Sequence, residues 1–324
     1  MNLFRASALA AALLLQPVLA SGAEGPLATA IQLFDAGRYA EAHRAFDTYA
    51  AAHPRDAEGA YWNGRSLLAL HDNSKAIEWL EKATTLAPRR ADVFLALGRA
   101  YGRAAQEASL LRKPGLARSA REAWEKAVAF DPTDLDARDA LMQFYLFAPG
   151  LMGGGVDKAR HQADEIARRD AVRGAVARAT IAQHEKDDAG AEGILQDALA
   201  RSPGNLELRR SLGQIYQNEQ KWDAAFALYE QILQQDADAW VVLYQVGRAA
   251  AVSGQRLDRG AAALQRYLGH TPAPEEPSLA NAHYRLGMIY EHQGNLASAR
   301  AEYQAALRLD VTLRAARAAL DELG

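Results

Sequence analysis

The stretch "AYWNGRSLLALHDNSKAIEWLEKATTLAP", residues 60–88, reads as two amphipathic helices that stop at Pro88. Proline cannot continue a helix, and it biases the residue before it away from helical backbone. Pro54 lies 34 residues upstream of Pro88. Aligned on these prolines, the pattern restarts as "VFLALGRAYGR" (93–103) and closes as "ARSAREAWEKAVAFDP" (117–132). It returns as "ELRRSLGQIYQNEQKWDAAFALYEQIL" (207–233) and "AHYRLGMIYEHQGNLASARAEYQAALRLD" (282–310). A fixed period of this length marks a stacked-repeat architecture, in which one unit cannot bury its own apolar face and its neighbours do.

The register of particular residues supports this. Eight units start near Ala23, Ala57, Ala91, Leu135, Val172, Leu206, Trp240 and Ala280. Position eight is small at Ala30, Gly64, Gly98, Ala179, Gly213, Gly247 and Gly287; unit four departs with Met142. Position twenty is Ala42, Ala76, Ala120, Ala159, Ala191, Ala225 and Ala299, with Gly260 in unit seven. Position twenty-four is large at Phe46, Leu80, Trp124, Leu195, Tyr229, Leu264 and Tyr303, and unit four again departs, with Ala163. Small residues at eight and twenty let the two helices of a unit approach closely, and the large residue fills the space beside that contact.

These residues resemble the tetratricopeptide repeat, a helix–turn–helix unit, over nearly the whole chain. The resemblance implies an all-α, right-handed α-solenoid superhelix of about eight repeats, one domain over residues 24–324. "TLRAARAALDEL" (312–323) has the helical period but no partner repeat, and reads as a capping helix.

Composition agrees. The 324 residues include 71 alanines, and Ala favours helix because it loses no side-chain entropy there. With no cysteine, disulfides, thiolate metal sites and a cysteine nucleophile are excluded. The charge of −3, with no long run of either sign, lacks the footprint of a general nucleic-acid binder. Residues 1–23 carry Arg5, an apolar run from Ala6 to Leu15 and small residues at Ala20 and Ala23. That is the order of a cleavable secretory signal peptide, too short to span a bilayer. The expectation is a periplasmic protein with no membrane span after cleavage.

Catalytic signatures are missing: no nucleophile elbow, phosphate loop, zinc-protease motif or dinucleotide fingerprint occurs. No enzyme activity, cofactor or metal is expected. His161 and Glu165 share a helix face, but a metal site needs more convergent ligands. A hydrolase would need clustered carboxylates, for which Asp92, Asp136 and Asp139 are the candidates, and these are expected to be surface charges.

Binding is the better prospect. The resemblance implies a concave groove lined by the first helix of each repeat, mainly at positions two, five, nine, twelve and thirteen. Carried over, this selects Tyr61, Arg65, Arg99, Arg103, Arg210, Gln214, Tyr244, Arg248 and Tyr284. Arg and Tyr suit recognition, offering fork-shaped donors and flat apolar area. The family's Lys/Asn clamp for a peptide carboxylate is not present. Two insertions interrupt the period between the helices of repeats three and four, near 104–117 and 147–156. Phe147, Leu151 and Met152 are apolar for a loop and form a possible edge contact. The function expected is a scaffold binding a peptide segment or partner domain. The alternative is a permanently packed subunit of an envelope assembly for polysaccharide export or cell-wall growth.

Overall fold

The computed structural model describes residues 25–273 and 276–324. The expected leader, residues 1–23, lies outside the described residues. Those residues form seventeen α-helices and no strand. The first hairpins are α1 (Pro26–Asp35) with α2 (Tyr39–Ala52), α3 (Ala57–Ala69) with α4 (Asn73–Leu86), and α5 (Ala91–Glu107) with α6 (Lys113–Phe130). Then come α7 (Leu135–Phe147) with α8 (Val156–Ala167), α9 (Ala171–His184) with α10 (Asp188–Arg201), and α11 (Leu206–Asn218) with α12 (Trp222–Gln235). The last two are α13 (Trp240–Ser253) with α14 (Leu257–Leu268) and α15 (Leu279–His292) with α16 (Leu296–Leu309), and α17 (Arg314–Glu322) follows. Eight hairpins and a final helix match the repeat reading in number and register.

Helix ends follow local chemistry. Pro54, Pro88, Pro132 and Pro203 each fall two residues past the last residue of α2, α4, α6 and α10. Asp56, Asp134, Asp170 and Asn205 accept backbone N–H groups at the starts of α3, α7, α9 and α11. Such caps satisfy donors that the first helical turn leaves without a partner. Five turns inside the hairpins share a left-handed residue two past the first helix and two before the second: Gly37, His71, Lys186, Gln220 and Gly294; the turn after α13 instead has Gly254 and Arg256 left-handed, and the insertion of repeat four has Gly153.

Packing inside a hairpin is the size pairing expected from the register. A Cβ added to Gly64 would lie 2.6 Å from Leu80, at Gly98 2.4 Å from Trp124, and at Gly213 2.6 Å from Tyr229. At Gly247 it would lie 2.2 Å from Leu264, and at Gly287 2.5 Å from Tyr303. Repeat four makes the same contact with the sizes exchanged. Met142 and Ala163 are both fully buried in one cluster, the large residue now on the first helix and the small one on the second. Gly260 replaces the usual Ala because a Cβ there would lie 2.2 Å from the Cβ of Ala250.

The insertions are built differently from each other. Residues 104–117 are not a long loop. They add roughly a turn to each of α5 and α6, which run 17 and 18 residues against 12 to 14 in the other hairpins from α2 onward. The chain turns over between them at 108–112. Residues 148–155 do leave helix, forming a single 3-10 turn at Gly150–Met152 that lies against α6. Two of the three glycines are required here: Gly153 holds a left-handed φ of 95°, and a Cβ at Gly154 would lie 1.8 Å from the Ala148 carbonyl oxygen; the Gly155 N–H then donates to the Tyr145 carbonyl at 2.7 Å.

Candidate functional site

Three helix faces converge between repeats three and four. α5 contributes Arg99, Gly102, Arg103 and Gln106; α6 contributes Lys113, Ala117, Ala120 and Trp124; α7 contributes Asp136, Asp139, Ala140, Gln143, Phe144 and Phe147. Residues three and four apart share one side of a helix, so each set is a single face. Together with Pro149 and Met152 they enclose an open cavity of about 1040 Å³. The lengthening of α5 and α6 creates its depth, and Gly102, Ala117, Ala120 and Ala140 leave the space unfilled.

The cavity has a polar and an apolar end. At the polar end Arg173 donates to Asp136 Oδ1 at 2.7 Å, and the Arg99 guanidinium stands 3.8 Å from Asp136 Oδ2. Asp139 accepts from Gln143 Nε2 at 2.7 Å. Burial pushes the Asp139 carboxyl above the ordinary carboxylate range, against the Gln143 hydrogen bond and the charge of Arg173. Arg103 reaches across to the previous repeat and donates to the Leu68 carbonyl at 2.9 Å. Towards the insertion edge the walls are Phe144, Phe147, Pro149 and Met152, with Gln106 and Lys113 at the turn ends of α5 and α6.

The residues singled out from the sequence divide accordingly. Arg99, Arg103, Phe147 and Met152 line this cavity together, so groove positions and the insertion edge meet there. Leu151 does not join them; it points to solvent, 90% exposed. Arg210 and Gln214 line a smaller depression of about 250 Å³ with Gln183 and Gln245. Arg248 is tied to that neighbourhood through Gln217 Oε1 at 3.0 Å and Gln214 Oε1 at 3.3 Å. Arg65 sits among aromatic rings, 4.5 Å from the centre of Trp62 and 5.0 Å from that of Phe34. Tyr61 and Tyr244 are buried, so their rings are core rather than offered surface. Tyr284 is half-buried, 5.8 Å from Tyr303.

Of the three carboxylates, Asp136 and Asp139 line the cavity, and Asp92 is bound to Arg90 at 2.8 Å. Glu165 is occupied by Arg138, Arg168 and Arg169, which leaves His161 without its partner for a metal. Among the described residues no cluster of three metal-ligating side chains occurs. Sequence reasoning did not place Gln106, Lys113 or Phe144 in the site. The signal was present only as the helical spacing 113, 117, 120, 124, which needs α6 to begin earlier than the repeat period allows.

Comparison with known proteins places the chain. Tetratricopeptide-repeat models match residues 27–91, 182–245 and 280–312, together half of the chain. Among curated proteins there is no significant match. Similar solved structures include a tetratricopeptide repeat protein from Parabacteroides merdae, 13% identical with a TM-score of 0.54, over 92% of this chain and 97% of that one. Human IFIT1 with PPP-AAAA is 16% identical with a TM-score of 0.56, over 91% of this chain and 71% of that one. The APC/C hetero-tetramer Cut9–Hcn1 is 17% identical with a TM-score of 0.51, and 55% of that chain is covered. At these identities the likeness is one of fold. The repeat matches, the eight hairpins and the size pairing between their helices agree, and the chain belongs to the tetratricopeptide-repeat family.

Proposed function

We propose that this chain is a non-catalytic interaction scaffold, exported to the periplasm, that holds a segment of a protein partner in the cavity between α5, α6 and α7. Tetratricopeptide repeats generally mediate protein–protein interaction. The observation that carries the proposal is the meeting, in one open cavity, of groove positions two, five, nine and thirteen (Asp136, Asp139, Arg99 with Gln143, and Arg103) with the apolar insertion residues Phe147 and Met152. A cavity with a charged end and an aromatic end suits a segment that places an apolar side chain beside Phe144 and Phe147 and a polar group beside Arg99. No described helix is long and apolar enough to cross a membrane.

The test captures partners from a periplasmic extract on the immobilised chain from residue 24, with washes of rising salt. Arg99 and Phe147 are both substantially exposed, so Arg99→Ala with Phe147→Ala leaves the fold intact. The double variant should lose the partner by about tenfold or more. Undiminished capture by that variant overturns the cavity as the site. Capture that survives high salt favours a permanently packed subunit of an envelope assembly. Cell fractionation with N-terminal sequencing checks export, with Ser21 or Glu24 as the expected first residue.

A further inference from the structure

The cavity leaves out the most exposed large apolar side chains among the described residues. Leu110 is 87% exposed, Leu111 94% and Leu151 90%. All three stand on the turns inside the hairpins of repeats three and four. Neighbouring repeats present that turn on the same edge of a solenoid. The equivalent turns elsewhere carry polar residues, such as His71-Asp72, Lys186-Asp187 and Gln220-Lys221. Leu110 and Leu111 sit where α5 and α6 turn over after their added length, and the 3-10 turn bearing Leu151 lies against α6, with Arg121 Nη1 3.5 Å from the Met152 carbonyl.

Cations flank these tips. Arg112 follows Leu111 directly, and Arg118 lies farther along α6; both are exposed, and neither makes an ion pair with a described carboxylate. Nearby carboxylates are engaged: Glu107 accepts from Asn73 Nδ2 at 3.0 Å, Asp157 is paired with Arg160 at 2.9 Å, and Glu122 stands 3.8 Å from Arg121. Lys158 donates to the Gly153 carbonyl at 3.0 Å, beneath the Leu151 tip.

We propose that this edge docks on an anionic phospholipid bilayer, with Leu110, Leu111 and Leu151 entering the acyl boundary and Arg112 and Arg118 meeting lipid phosphates. Separate projecting tips suit a fluid surface that closes around each of them. A stable protein interface instead needs a contiguous, complementary surface of about 800 Å² on each partner. Apolar tips with two exposed arginines on the same hairpin match acyl chains beneath negative headgroups. This goes beyond the scaffold reading and does not depend on it, because the tip leucines lie outside the cavity.

The test is flotation with vesicles of phosphatidylglycerol and phosphatidylcholine, against phosphatidylcholine alone. It uses the chain from residue 24, since the leader's apolar run would itself partition into lipid and all eight hairpins and the final helix lie beyond it. The expected result is binding to the phosphatidylglycerol vesicles that weakens with salt. Leu110→Ser, Leu111→Ser and Leu151→Ser combined should lower partition by about tenfold or more, with an unchanged circular-dichroism melt. Arg112→Gln with Arg118→Gln should remove the preference for phosphatidylglycerol. Absence of vesicle binding overturns the proposal, as does equal binding by the leucine variant. A concentration-dependent dimer in light scattering that the leucine variant abolishes, without vesicle binding, identifies a self-association surface and also overturns it.

Discussion

The single contact that defines each hairpin is a small residue on one helix under a large residue on the other. Gly247 shows its tightness, since a Cβ there would lie 2.2 Å from the fully buried Leu264. In an exposed helix Gly→Ala would stabilise by about 1 kcal/mol. Here overpacking outweighs that gain, and Gly247→Ala should destabilise by about 1–3 kcal/mol in urea unfolding. Repeat four supplies a sharper test. Met142→Gly alone opens a cavity and Ala163→Leu alone overpacks, each costing roughly 2 kcal/mol or more. Because the two residues face one space, the double variant should be more stable than the sum of the single effects predicts, by about 1 kcal/mol or more. Simple additivity would show that they do not share that space. Asp139 belongs to the same scale. Burial raises its carboxyl pKa, so the fold disfavours the charged form relative to the unfolded chain. Its contribution to stability is complete below the ordinary carboxylate pKa and is lost as pH rises through the folded value. Asp139→Asn keeps an acceptor for Gln143 and should raise the melting midpoint at neutral pH, with no gain below the ordinary carboxylate range.

At the scale of the element, five turns inside the hairpins repeat one backbone conformation with unequal residues. Gly37 and Gly294 adopt it at little cost, whereas His71, Lys186 and Gln220 hold φ near 60° with a side chain attached. For an L-residue that conformation costs about 1–2 kcal/mol, and glycine gives back part of it through a freer unfolded chain. Substituting any of the three by glycine should therefore stabilise by about 0.5–1 kcal/mol, read as a higher thermal midpoint. His71 is the cleanest choice, since it has one charged neighbour, Asp72, whereas Lys186 and Gln220 each stand between two. These turns also show what the sequence does and does not disclose. The hairpins were legible because each encodes its own contact, a small position under a large one at fixed spacing. The insertion in repeat three was legible as extra length but not as extra helix. "AAQEASLLRKPGLARSA" (104–120) has the Ala and Leu content of helix, yet Pro114 and Gly115 fall within it. Pro114 is tolerated because it sits in the first turn of α6, where its missing N–H would have no helical partner. The cavity was not legible at all as a volume. It arises from faces of α5, α6 and α7 spread over some fifty residues, and no local pattern records how deep the space between them is.

For the whole molecule, the substantial helix contacts run between neighbours: the two helices of a hairpin, adjoining hairpins, and consecutive first helices such as α13 with α15. A chain connected in this way stabilises each repeat through its two neighbours, and a terminal repeat has only one. The superhelix also returns on itself, since Thr271, in the loop after α14, comes within 3.6 Å of where a Cβ on Gly37 would stand. The eighth hairpin is covered by α17, which buries Ala316 completely, and Arg300 Nη2 donates to the Leu323 carbonyl at 2.8 Å and the Gly324 carbonyl at 2.7 Å. Removing residues 313–324 should therefore act locally first. Hydrogen exchange in α15 and α16 should accelerate by tenfold or more, about 1.4 kcal/mol of lost local stability or greater, while α3 and α4 keep their protection. A uniform loss of protection along the chain would instead mean that the repeats unfold as one cooperative block, with the contact between Thr271 and the first hairpin as the place to look for the coupling. In either case the cavity between α5 and α7 lies four repeats from the removed helix. Partner capture through Arg99 and Phe147 should survive the truncation if the array is nearest-neighbour coupled, and should fall with it if the block is global.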